Sequence, residues 1–315
     1  MNSKVDYLDN PWKPVPQTVI RDKTISNEVE EIGFSVKNMI PEESISELLE
    51  LYSDTHQINE EHGGMFYSVY SQNLDYRKQI HDKIGAILAP IVREQFKDYR
   101  VLLNSFVIKA SGSKSEFCMH QDTTGLDELT HSPVSLWIPL DDVDESNGCL
   151  WVLPKSHGFF SPYRSISFPA PYEEIQDDVK RYLQPVKMKK GEALFFDNRL
   201  VHHSFGNETG KTRIAVVCGL FPQDAKLLTC HKPESTLAGK VELIEHDDDF
   251  LLKHPNFLFD CQKRPDTGVS KGWVEDNYQS IDLDGFKALC LKHNIVAHTE
   301  TPLPVSDCNL ISEPD

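Results

Sequence analysis

In the stretch FCMHQD, residues 117–122, His120 and Asp122 stand two positions apart. In an extended chain, residues two apart project from one face, so the pair offers an imidazole and a carboxylate side by side. Those groups are two corners of a metal site. A second histidine from elsewhere would complete a facial set of three ligands. Three positions would then stay open for a chelating co-substrate and dioxygen, the geometry of non-haem iron(II). An isolated H-x-D pair also occurs at surfaces, bonded to water.

A second cluster, LVHHSFGNETGKTR, occupies residues 200–213. If its apolar start is a strand, His202 and His203 point to opposite faces and alternation alone does not choose between them. Their company does. His202 shares its face with Ser204 and precedes Arg213 by eleven residues, whereas His203 shares its face with Val201 and Phe205. Arg213 opens the apolar run IAVVCGLF, where a buried guanidinium is costly without a partner. A dicarboxylate co-substrate would supply one through two parallel hydrogen bonds; a structural salt bridge is the alternative. Ser204 could donate to the same carboxylate.

These pieces occur in order with SLWIPLDD and NGCLWVLPKSH between them, and together they resemble the phytanoyl-CoA dioxygenase family, over about residues 30–222. The resemblance implies a mainly β protein with flanking helices. Its fold would be a double-stranded β-helix, the jelly roll of cupin-like proteins. It also implies iron(II) chemistry with 2-oxoglutarate and O2 as co-substrates and ascorbate as a reductant in vitro. Carried over, the family pattern makes His120, Asp122 and His202 the iron ligands and Arg213 with Ser204 the clamp on the distal carboxylate of 2-oxoglutarate. Gln121 falls near the co-substrate's chelating end. Trp137 falls on a tryptophan of the same pocket, with core packing as its alternative. Lys109 could reach an anion or lay its stem along apolar surface. His157 ends PKSH where the family has a glycine in place of Lys155. That lysine suits a left-handed turn less well, and His157 is read as structural or substrate-side. His62, Phe117 and Thr123 are further candidates for substrate contact. Related halogenases lack the carboxylate, so Asp122 points to hydroxylation, with 2-oxoglutarate decarboxylated to succinate.

The composition fits a globular protein: 39% of its 315 residues are hydrophobic and 26% charged. A formal net charge of −17 opposes nucleic acid and anionic membrane surfaces as partners. Seven dispersed cysteines without a C-x-x-C read as reduced thiols. With no apolar run long enough to span a bilayer and no signal-peptide pattern at the start, a cytoplasmic protein is expected. The remaining histidines follow no ligand spacing, and KMKK (187–190) reads as a solvated turn.

The elements that must hold these residues follow from periodicity. Residues 1–30 are polar and proline-punctuated, an expected N-terminal arm, and residues 31–315 are expected to form one catalytic domain. GFSVKN gives a short strand. The next helix has Ile45, Leu48, Leu49 and Tyr52 on one face. Residues 55–75, rich in glycine and aromatics, suit a lid, and a second helix over 75–96 repeats Ile80, Ile84, Leu88 and Ile91 at helical spacing. From residue 100 six short β-rich runs follow, with Asn147-Gly148 as a hairpin signal. From about residue 225 a C-terminal extension ends in a helix near 283–294.

The function expected is hydroxylation of an unactivated C–H bond of a small molecule, an amino acid or a biosynthetic intermediate. An acyl-CoA or carrier-bound substrate is the enzymatic alternative. A non-catalytic metal-binding jelly roll, or an isomerase or hydrolase using another divalent metal, is the alternative of another class. The Arg213 clamp argues against both.

Overall fold

Asp22 begins the first helix by accepting a hydrogen bond from the Thr24 amide at 2.9 Å. Gly33 ends it in the left-handed region. A side chain at Gly33 would fall 2.5 Å from Leu200 and 2.9 Å from His157, so both the conformation and the contact require glycine. The computed structural model describes residues 15–56, 64–112, 115–159, 162–165, 168–232, 239–254, 257, 263–276 and 280–299.

In chain order the elements are α1 (Lys23–Ile32), β1 (Phe34–Asn38), α2 (Glu42–Thr55), β2 (Met65–Tyr67), α3 (Leu74–Gln95) and β3 (Tyr99–Lys109). There follow β4 (Phe117–His120), β5 (Val134–Pro139), β6 (Leu150–Val152), α4 (Gln176–Lys180), β7 (Gln184–Val186) and β8 (Glu192–Asp197). The chain continues through β9 (His202–Ser204), β10 (Arg213–Pro222), β11 (Leu227–His231), β12 (Lys240–His246), α5 (Phe250–Lys253), β13 (Val269–Glu275) and α6 (Leu283–Lys292).

A major sheet runs β1-β8-β5-β10-β3-β2 and a minor sheet β4-β9-β6-β7, antiparallel throughout. This is the expected jelly roll. One face of the major sheet is packed by α2 and α3 through Leu48, Ile80, Ile84, Phe106 and Val216. Its other face meets the minor sheet, with Trp137, Trp151, Leu194 and Ala215 in a second core.

Several expectations are corrected. Residues 23–30 of the expected arm belong to α1, which buries Ile25 and Val29. On α2 the buried apolar residues are Ile45, Leu48 and Leu51, while Leu49 is exposed. Of the expected lid, Met65–Tyr67 form β2 and pair with β3; residues 57–63, including His62, lie outside the described residues. Asn147-Gly148 does not close a hairpin, because β5 and β6 lie in different sheets. The C-terminal extension holds a third sheet, β11-β12-β13, which periodicity did not reveal. Cys118 is disulfide-bonded, against the expectation of thiols throughout, whereas Cys149, Cys218, Cys230 and Cys290 are free. Among the described residues no helix is long and apolar enough to cross a membrane.

Candidate active site

Pairing between β4 and β9 sets His120 opposite His202. Opposite residues of an antiparallel pair share a face, and the two ring centroids are 4.1 Å apart. Asp122 follows β4 directly. Its amide donates to the Asn198 carbonyl at 2.9 Å, and its carbonyl accepts from Arg164 Nε at 2.9 Å. That fixes its carboxylate, with Oδ1 3.6 Å from His120 Nε2 and 3.8 Å from His202 Nε2. One donor atom from each of the three residues lies within 4.8 Å of the others.

The far side of each ring is also held. His120 Nδ1 lies 2.7 Å from the Cys118 carbonyl and His202 Nδ1 2.9 Å from the Leu200 carbonyl. With Nδ1–H donating to a carbonyl, the lone pair of each ring is left on Nε2, where a metal would take it. Burial, with His120 beside it, pushes the His202 imidazole down to about 4, so it is neutral, as a ligand must be. Burial would raise the Asp122 carboxyl, but His120, His202 and Arg164 more than offset this and hold it below its ordinary value. The donor set therefore fits a divalent metal. Arg164 is itself gripped by Glu128 through two hydrogen bonds of 2.7 and 2.6 Å, which braces the loop bearing Asp122.

Arg213, at the head of β10, is buried. Its Nη1 donates to the Val107 carbonyl at 3.2 Å, its Nε has no hydrogen-bond partner, and its guanidinium lies 5.4 Å from the centre of the Trp137 ring. Among the described residues no carboxylate pairs with it. Burial lowers it to about 10, which still leaves a cation at neutral pH. Arg213, Trp137, His120, Asp122 and His202 all line one cavity of about 320 Å³.

Gln121, Thr123 and Phe117 line the same cavity, with the Phe117 ring edge-on to His120 at 4.5 Å. Ser204 reaches it too, but its hydroxyl points at the Gly148 and Cys149 carbonyls at 3.0 and 3.2 Å. Its one proton is spent tying β9 to the turn before β6, so the expected second clamp is not presented to the cavity. Lys109 is wholly buried and does not line the cavity; its Nζ donates to the Ser204 and Phe205 carbonyls at 2.7 and 2.5 Å. It neither lays its stem on a surface nor meets an anion there. Burial and the neighbouring Arg213 push it well below the usual lysine range.

Of the two readings of His157, its surroundings accord with the structural one. It is buried and does not line this cavity, with Nε2 3.0 Å from the Glu30 carbonyl. The turn before it forms with Lys155 in the left-handed region at φ 69°. The Lys155 amide donates to the Ile32 carbonyl and its Nζ to the His293 carbonyl, each at 2.8 Å, which offsets the strain of about 1 kcal/mol. His203 faces away from the cavity as expected, but that side is fully buried, with Nε2 3.1 Å from Glu116.

Residue spacing did not single out Tyr67 and Tyr70, whose rings pack at 5.0 Å and line the cavity. Nor did it single out Arg164. The tyrosines lay inside the aromatic stretch noticed in the sequence, whereas Arg164 carried no local signal.

Residues 35–215, more than half of the chain and all five residues of this constellation, match the family described as phytanoyl-CoA dioxygenase (PhyH). The chain belongs to the phytanoyl-CoA dioxygenase family. Within it, the chain is 29% identical over 130 residues to Phytanoyl-CoA dioxygenase 1 of Oryza sativa subsp. japonica, covering 39% of this chain and 44% of that protein. It is 32% identical over 123 residues to Phytanoyl-CoA dioxygenase of Arabidopsis thaliana, covering 36% and 42%. The matched stretch thus spans less than half the length of these family members. Among solved structures the chain is similar to HygX from Streptomyces hygroscopicus with nickel, 2-oxoglutarate and hygromycin B bound. That likeness is 15% in sequence, covers 64% of this chain and 88% of that one, and has a TM-score of 0.46.

Proposed function

We propose that this family member is an iron(II)- and 2-oxoglutarate-dependent dioxygenase that hydroxylates an unactivated C–H bond of a small organic molecule. The observation that carries the reading is Arg213, a buried cation without a protein carboxylate among the described residues, facing the cavity that holds the His-Asp-His group. A structural metal site would have no use for it.

His120 and His202 would hold iron through Nε2 and Asp122 through its carboxylate. Iron(II) with 2-oxoglutarate supplies the oxygen activation that attacks the C–H bond and yields succinate and carbon dioxide. The protein's own part is binding, orientation and exclusion of water. Arg213 holds the distal carboxylate, with Trp137 against the guanidinium face to keep the pair dry and strong. Phe117, Tyr67 and Tyr70 wall the reacting end. Tyr67 and Tyr70 stay protonated because burial raises both far above the ordinary tyrosine range.

The test is co-substrate dependence. Purified protein with iron(II), ascorbate and 2-oxoglutarate should release succinate slowly even without substrate. Arg213→Ala should raise the 2-oxoglutarate concentration for half-maximal release at least tenfold while iron binding, followed by titration, is retained. An unchanged requirement would overturn the clamp.

A further inference from the structure

Strand β10 forms the floor of the cavity over most of its length. Arg213, Val217, Gly219 and Phe221 all line it, while Val216, Cys218 and Leu220 on the opposite face are packed into the helix-side core. At about 3.3 Å per residue, Gly219 lies roughly 20 Å along the strand from Arg213. Its cross-strand neighbours, Leu103 on β3 and Ser135 on β5, line the cavity as well.

The β10–β3 register shifts just after Gly219, between it and Leu220, but neither a left-handed conformation nor a steric clash demands glycine there. Its φ is not in the left-handed region, and a Cβ built on it would meet only Leu103, at 3.9–4.0 Å. A side chain at this position has room, and that room is the cavity itself. Beyond it, Phe221 joins Leu102, Leu227, Leu251 and Phe257 in one apolar cluster, each of them bordering the same space. The charged groups on the cavity wall are Asp122, Arg164 and Arg213. Asp122 and Arg164 belong to the metal end, and Arg213 stands at the head of β10. A charged group carried far from the reacting carbon would find no counter-charge among the described residues, and burying it unpaired would be costly.

We propose that Gly219 is the specificity-determining position of this cavity, its missing side chain leaving room for the uncharged, apolar end of an elongated substrate. The inference depends on the functional reading above only in calling the occupant the substrate. A free amino acid, small and doubly charged, is disfavoured by it.

The test needs neither metal nor co-substrate. The uncharged dye N-phenyl-1-naphthylamine is bound to the purified full chain and displaced by straight-chain primary alcohols from butanol to hexadecanol. Affinity should climb about three- to fourfold per methylene up to a limiting length and then level off. Gly219→Leu should move that limit to shorter alcohols and Gly219→Ala should move it less. Leu103→Ala should move it to longer ones, a direction that general destabilisation cannot mimic. A Gly219→Leu protein with the wild-type melting temperature and the wild-type limit overturns the proposal. Should Gly219→Leu not fold, unchanged limits in both alanine variants overturn it. Wild-type protein that shows the alcohol limit yet binds no 2-oxoglutarate would sink the functional reading and leave the role of Gly219 standing.

Discussion

The two adjacent histidines of β9 separate cleanly in three dimensions. His202 joins His120 and Asp122, and His203 is buried on the other face against Glu116. His202→Ala should therefore abolish iron binding and succinate release. His203→Ala should retain iron binding but lose about 1–3 kcal/mol of stability, because Glu116 is left buried without its neighbour. Paired metal titrations and thermal melts check this, and the reverse pattern would mean the strand register is wrong. These residues were legible because the H-x-D and H-x-S spacings stand in the order of the family they resemble, which assigned the ligand roles that alternation alone left open. Ser204 shows where such reading stops. Its face was foreseen, but the direction of its proton depends on the Gly148 and Cys149 carbonyls, more than fifty residues away. His157 was legible only as a histidine, since its burial depends on Gly33 and Glu30.

At the level of elements, the loop after β4 is the weak point of the site, because Asp122 lies outside any strand. The Arg164–Glu128 pair compensates, with side chains 11% and 1% exposed. Breaking a buried pair by removing one partner costs about 3–5 kcal/mol, and outer supports of metal ligands are typically worth 10–100-fold in affinity. Arg164→Ala should thus lower the melting temperature and weaken iron binding at least tenfold; Glu128→Gln, which keeps the shape, should do so less. Unaltered iron affinity in a folded Arg164→Ala protein would show that the loop holds itself. The pair was invisible beforehand, since its partners are 36 residues apart with no motif around either. The longer helices α2 and α3 and the strands β3, β5, β8 and β10 were readable, as their periods are unbroken, whereas α1, β2, α4 and β7 were not. The third sheet was not: β13 is exposed along most of its length, so no apolar alternation marks it.

Across the whole molecule, burial dominates the titration behaviour. It pushes His203 down to about 4, and it does the same to His246, which is stacked on Phe250 at 3.7 Å. An unfolded histidine titrates near 6.5, so between about 6.5 and 4 the unfolded chain takes up protons that the native one refuses. Stability from these groups is complete above that window and declines as the pH falls through it. Melts of the metal-free protein at constant ionic strength should show the midpoint dropping steadily from neutral pH to pH 4.5; a flat profile would contradict the burial of these rings as neutral species. The residues that resemble the family end at 215, and the third sheet begins at Leu227. Leu227, Leu228 and Thr229 nevertheless close part of the cavity wall. Part of the cavity wall thus lies beyond the stretch that matches the family, although residues such as Leu102 and Leu103 within that stretch border the same space. Drift in the later stretch, or a deliberate graft of it, can retune what is accepted while the oxidising end stays as it is.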